Sequence, residues 1–147
     1  MAKVLVIYHS YTGNTEEMAK AVAEGASWGG AEEVTLKKAF DATGKDLLAC
    51  DAVAFGSPTY FGYMSGALKD FFDRSLRECR GKIDGKPFAA FASMALEKRA
   101  AIEAIEPIAT FFGLKKITDG PLSKGKPAPE ILEKCRELGK MLATAPK

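Results

Sequence analysis

Lys3-Val4-Leu5-Val6-Ile7-Tyr8-His9-Ser10-Tyr11-Thr12-Gly13-Asn14-Thr15-Glu16 decides the fold. Its first half is an unbroken apolar run, the mark of a strand buried on both faces of a parallel sheet. Its second half is small and polar and passes straight into a helical stripe at Thr15, Met18, Val22 and Ala26. A strand that feeds a helix through a short polar loop opens a βαβ unit. The pattern recurs downstream. Residues 51–57 and 87–93 repeat the buried-strand form, residues 33–37 alternate as an edge strand does, and residues 114–118, after Gly113, make a fifth strand. Helical stripes appear at Leu68, Phe71, Phe72 and Leu76, and again at Ile131, Cys135, Leu138 and Leu142. Pro129 suits the first position of that last helix, which closes at Ala145-Pro146. Residues 99–112 form another helix with Pro107 inside it, which predicts a kink or a later start. Residues 44–50 leave room for one or two turns. Five strands in 147 residues come to about thirty residues per unit, the size of a βαβ element. The expected architecture is therefore α/β: a doubly wound five-stranded parallel sheet with helices on both faces, in one domain over residues 1–147.

Composition removes other classes. Hydrophobic residues at 47%, charged residues at 27%, 14 Gly and 7 Pro exclude a disordered, collagen-like or coiled-coil chain. The 21 Lys and Arg against 19 Asp and Glu leave +2, too little for a sequence-independent nucleic-acid footprint, and no run of like charge makes a binding tail. No nucleic acid is expected as partner. The longest apolar stretch, residues 88–96, is about half of a bilayer span, so neither a membrane anchor nor a signal peptide is expected. Cys50, Cys79 and Cys135 are odd in number and widely spaced, with one His to join them. That predicts no metal site, and instead reduced buried thiols in a cytoplasmic protein.

In an open parallel sheet, ligands bind beyond the carboxyl ends of the strands, where strand order reverses. After the first strand, Ser10, Thr12 and Thr15 supply hydroxyls, Gly13 a flexible turn, and the coming helix its free N–H groups and dipole. The loop holds no Lys or Arg, and the chain lacks both GxxxxGK[ST] and GxGxxG. Such a neutral cradle suits one terminal phosphate. The same residues also suit plain helix capping, with Asn14 and Glu17 at capping-box spacing. After the third strand, Ser57-Pro58-Thr59-Tyr60-Phe61-Gly62-Tyr63 packs three aromatics into four positions outside any helical or strand period. These offer flat faces to a planar ring, or else cover a subunit interface or the core. His9 sits at a strand end and reads as structural. With no second His there is no base for a nucleophilic triad. Lys98 and Arg99 begin a solvated helix or meet the phosphates of a visiting NAD(P)H.

Ser10-Tyr11-Thr12-Gly13-Asn14-Thr15 after a first strand resembles the phosphate signature of the flavodoxins. Gly56-Ser57-Pro58-Thr59-Tyr60-Phe61-Gly62, followed by Leu68-Lys69-Asp70-Phe71, is similar to the flavin-ring loop of flavodoxin-like proteins, in particular the branch with NAD(P)H:quinone reductases. Lys126-Pro127-Ala128-Pro129 and Cys135-Arg136-Glu137-Leu138-Gly139 resemble the usual closing helix, so the likeness covers nearly the whole chain. It implies a flavodoxin-like fold of strand order 2-1-3-4-5, one FMN and redox work. The cofactor-binding residues it implies are Ser10, Tyr11, Thr12, Gly13, Asn14 and Thr15 at the phosphate, and Ser57, Pro58, Thr59, Tyr60, Phe61, Gly62 and Ser93 at the ring, with no catalytic side chain. After the fourth strand the quinone-reductase branch usually has a Gly-rich loop and carrier flavodoxins an aromatic with acidic residues. This chain has Ser93-Met94-Ala95-Leu96-Glu97-Lys98-Arg99 instead. The implied function is an electron carrier working with a redox protein partner. The alternative is an NAD(P)H-dependent FMN oxidoreductase reducing quinones or similar acceptors, and the third reading is a flavin-free binding module. A homo-oligomer is left open.

Overall fold

The computed structural model describes residues 2–96 and 98–146, so Glu97 of the loop quoted above lies outside the described residues. Strand β1 (Lys3–Tyr8) runs in the middle of the sheet, between β2 (Glu33–Lys38) and β3 (Ala52–Pro58), with β4 (Pro87–Met94) beyond β3. All these pairings are parallel, and the overall order is β2-β1-β3-β4-β5. Every residue of β3 is buried, as are all of β1 but its first and all of β4 but its last, as unbroken apolar strands require.

The expected fifth strand is divided. β5 (Lys115–Lys116) pairs with the start of β4, and β6 (Leu122–Lys124) pairs with its end. Between them Gly120 passes so close to β4 that a Cβ would overlap the Ala90 carbonyl, and Pro121 follows with no N–H to donate. The pairing therefore breaks in the middle. The short β6 carries the chain up to the loop after β4.

Helices α1 (Asn14–Trp28) and α5 (Pro129–Thr144) cover one face, and α2 (Gly44–Ala49), α3 (Gly66–Cys79) and α4 (Ala100–Phe111) cover the other. On the first face Met18, Val22, Leu138 and Leu142 pack on Val4 and Val6. There α1 and α5 touch backbone to backbone, because a Cβ at Gly25 would overlap the Arg136 carbonyl and one at Gly139 the Val22 carbonyl. On the second face Phe55, Phe71, Phe72 and Phe112 interlock, with the Phe55 and Phe72 rings 4.9 Å apart. Helix α4 starts at Ala100 and runs through Pro107, so the expected later start is not observed. Burial of Ala101, Ile102, Ile105 and Ala109 holds it against the hydrogen bond that proline removes. Cys50, Cys79 and Cys135 are free and buried, and burial pushes the Cys50 and Cys135 thiols up to about 12. Among the described residues no helix is long and apolar enough to cross a membrane.

Candidate functional site

The register fixes where the site is. Tyr8 pairs with Gly56, and Pro58 with Ser93, so β1, β3 and β4 end at one edge and their loops meet there. The chain leaves β1 toward β2 on one side and returns to β3 on the other, which is the reversal of strand order that opens a crevice.

In the first loop Gly13, not Asn14, precedes the helix. It adopts a left-handed conformation with φ of 101°, which a side chain rarely tolerates, and no side chain caps α1. The expected Asn14–Glu17 capping box is therefore absent: Asn14 is already helical, and the capping box of this fold is Thr43 with Asp46 at the start of α2. The Ser10 hydroxyl instead accepts from the Gly13 N–H at 3.0 Å and folds the loop. Glu17 N–H donates to Gly13 O, while the N–H groups of Asn14, Thr15 and Glu16 open the helix with no intrahelical acceptor. Tyr11 and Thr12 are exposed on the rim. Glu16 is held sideways: its carboxylate accepts from the Tyr8 hydroxyl at 2.7 Å and lies 3.9 Å from Lys20. Burial, then the bond to Glu16, pushes the Tyr8 hydroxyl up to about 12. Thr15 is buried, and its hydroxyl meets that of Ser93 at 2.7 Å across 78 residues. These two residues tie the start of α1 to the end of β4. His9 stacks edge-on against Phe40 at 6.2 Å, and burial lowers its pKa, which favours the neutral ring.

The second loop is rigid by construction. Ser57 is buried, donates from its hydroxyl to Pro58 O at 2.7 Å and accepts from the Ser65 N–H at 2.8 Å, so it holds the loop from inside. Thr59 N–H donates to Ser93 O. Tyr60 and Tyr63 exchange both backbone hydrogen bonds, at 3.0 and 2.9 Å, around Phe61 and Gly62 with φ of 52° and 69°. Two positive φ angles mark a type I′ turn, whose first central position strains a bulky aromatic by about 1–3 kcal/mol. The turn presents Phe61 fully to solvent. Burial, with a smaller contribution from Tyr11, raises the Tyr60 pKa. The Thr59 hydroxyl is buried without a partner.

Two cavities follow these loops. One of about 310 Å³ runs between Thr12 and Asn14 on one side and Thr59, Tyr60, Ser93 and Gly125 on the other. The next, of about 300 Å³, lies under Phe61 and Gly62 against Leu96 and Lys98. They share Thr59, Met94 and Ala95, so together they form one groove of ligand size. Sequence patterns missed Gly125, which reaches the groove because β6 pairs with the end of β4 and Gly125 N–H donates to Met94 O. A three-residue strand between Pro121 and Gly125 carries too little pattern to read. Open helical N–H groups at one end and aromatics with an orphaned hydroxyl at the other suit a molecule with an anionic tail and a planar polar ring.

Residues 5–121 match the family model described as a flavodoxin domain. The chain is 41% identical to a flavodoxin of Aquifex aeolicus, over 97% of this chain and 86% of that protein. It is 40% identical to an NAD(P)H dehydrogenase (quinone) of Archaeoglobus fulgidus over 63% of this chain and 62% of that one. Among solved structures, a flavodoxin from the domain Archaea superposes with a TM-score of 0.85 at 26% identity over 96% of both chains. A flavodoxin, WrbA-like protein from Agrobacterium tumefaciens does so with 0.82 at 30% identity, over 97% of this chain and 96% of that one.

Proposed function

The chain belongs to the flavodoxin family, and on that premise we propose that it is an electron carrier that holds one FMN, in a single domain over residues 1–147. The observation that carries this reading is the groove itself, which joins the open N-terminus of α1 to the aromatic loop after β3. The residues present fit the group. A phosphate needs donors and positive partial charge, and the N–H groups of Asn14, Thr15 and Glu16 with the Thr12 hydroxyl offer both. A flavin ring has polar edges and two apolar faces, and Thr59 holds a buried hydroxyl with no other partner. Tyr60 and Phe61 cover one face from a turn that Ser57 and Gly62 keep in shape, and Ser93 steadies Thr15 at the phosphate end. Ser10 and Gly13 set the loop, and Tyr11 stands exposed on its rim. When bound, the flavin supplies the redox chemistry, and the protein supplies grip, orientation and exclusion of water.

Titration of the flavin-free protein with FMN, riboflavin and FAD, followed by flavin fluorescence, tests this. Quenching at one FMN per chain with weaker riboflavin binding is expected. A protein that quenches none of the three is a flavin-free binding module. A second reading, NAD(P)H-dependent reduction of quinones or similar acceptors, draws on the loop after β4. Ala95 and Leu96 are exposed and carry no aromatic ring, which leaves the far side of the groove open to a second planar molecule. Quinone turnover driven by NADPH at about 1 per second or faster would favour it.

A further inference from the structure

Past Met94 the groove opens into a further cavity of about 490 Å³. Its lining carries Lys98, Arg99, Lys124 and Lys126 and, among the described residues, no Asp or Glu. Two helices begin there: Arg99 precedes α4 and Ala128 precedes α5, and both line the cavity. Each helix start adds partial positive charge to that of the side chains. Asp119 offsets part of it from 3.8 Å behind Arg99, whose Nη2 is buried, and Glu130 stands in the first turn of α5, while Lys98 and Lys126 stand exposed at the mouth. Beside this mouth lie two large exposed apolar side chains, Phe61 on its strained turn and Leu96.

We propose that this face, with Phe61 and Leu96 at its centre and Lys98, Arg99 and Lys126 on its flank, is the docking surface for a redox protein with an acidic face. It deepens the electron-carrier reading and rests on it. An apolar centre that excludes water and a charged flank that steers approach are the two parts of a transient protein interface. Magnitudes favour a protein over a small anion. Lys98 and Lys126 are exposed, so each contact to a single small anion is worth little after screening by water and salt. Their fields add along a large charged surface that approaches the groove, which raises the association rate at low salt even though each single contact is weak.

The test uses two probes of opposite charge: plastocyanin, an acidic copper protein, and cytochrome c, a basic haem protein. Carbodiimide forms amide bonds between lysines and carboxylates that lie in contact, and with flavin-free protein it should link Lys98 and Lys126 to plastocyanin. FMN-loaded protein reduced by dithionite then donates one electron to each probe, copper(II) becoming copper(I) and iron(III) becoming iron(II). Plastocyanin reduction should slow as salt rises, and the variant Lys126→Glu, outside the flavin groove, should slow it about threefold at low salt while speeding cytochrome c. Unchanged flavin affinity and melting temperature in the variant show that its fold is intact. The cross-linking arm needs no flavin, so a failure to bind FMN does not touch it. The proposal falls if cross-links map to another face or join two copies of this chain, or if the variant leaves both salt dependences unchanged. It falls too if inorganic pyrophosphate abolishes the cross-links where chloride of equal ionic strength does not, since the cavity is then a small-anion site.

Discussion

The pair of hydroxyls on Thr15 and Ser93 offers the sharpest test of how the site is held. Thr15 is 1% exposed and Ser93 5%, and their oxygens are 2.7 Å apart. Thr15→Val keeps the shape of the side chain, removes its oxygen and leaves the Ser93 hydroxyl buried without a partner. A buried polar group stripped of its partner costs about 1–3 kcal/mol, so the flavin-free protein should lose that much in urea unfolding. Ser93→Ala orphans Thr15 in the same way. The double variant removes both groups, leaves nothing unsatisfied, and should lose clearly less than the sum of the two. The difference measures a coupling of about 0.5–3 kcal/mol, as expected for residues in contact. Flavin titration of the same proteins separates two roles for Thr15. A loss shared by FMN and riboflavin means that the pair only holds the loops together, whereas a loss confined to FMN means that Thr15 also reaches the phosphate. Additive single effects on stability, with no coupling, would refute the contact and with it the link between α1 and β4.

Thr12→Ala should weaken FMN roughly tenfold with riboflavin affinity little changed, since a hydrogen bond to a charged group contributes about 1.5–3 kcal/mol; equal losses for both ligands would show that Thr12 only shapes the loop. Phe61→Gly relieves about 1–3 kcal/mol of turn strain at a fully exposed side chain against about 0.5–1 kcal/mol of added chain entropy, so flavin-free stability should rise by up to about 2 kcal/mol while the spectrum of bound flavin shifts, and a loss of several kcal/mol would contradict that exposure. Gly139→Ala drives a methyl into the Val22 carbonyl and should cost about 1–3 kcal/mol by urea unfolding, whereas an unchanged midpoint would deny the close approach of α1 and α5. Burial lowers the pKa of His9, the one His of the chain, so the unfolded chain binds the proton more readily; stability should be full above the ordinary value of 6.5 and fall as pH drops through it toward the folded value. His9→Gln should flatten that slope, and a His9 proton resonance titrating above 6.5 would reverse its sign.

Much of this was legible because it is local. The buried strands are apolar runs, the helices carry three-and-four stripes, and Tyr60 to Tyr63 stood out because three aromatics broke every period. What escaped the sequence is long-range. Thr15 reads as a helix-start hydroxyl, and nothing nearby signals that its partner is Ser93, 78 residues away. Asn14 and Glu17 have capping-box spacing, but the left-handed turn at Gly13 places Asn14 inside the helix and leaves the box without a cap. The split of the fifth strand depends on how closely Gly120 passes Ala90, a contact between elements that no single stretch encodes. Gly125 and Lys126 enter the site only through that split.

Three departures from local rules meet at the candidate groove. Phe61 occupies a turn position that favours glycine or asparagine, Thr59 buries a hydroxyl without a partner, and α1 begins on an uncapped left-handed glycine. Each departure costs stability in the chain by itself: about 1–3 kcal/mol for the turn, and a similar amount for the orphaned hydroxyl. Helices α2 and α3 do have their caps, in the capping box at Thr43 and the hydroxyl of Ser65 on Leu68 N–H. Helices α4 and α5 also start without a side-chain cap, so what distinguishes this groove is that an uncapped left-handed helix start, a strained turn and an orphaned hydroxyl meet at one mouth. A ligand that accepts from the free N–H groups and from Thr59 would offset two of the three costs at once, and a phosphate with a polar ring edge, as proposed for FMN, has the acceptors to do so.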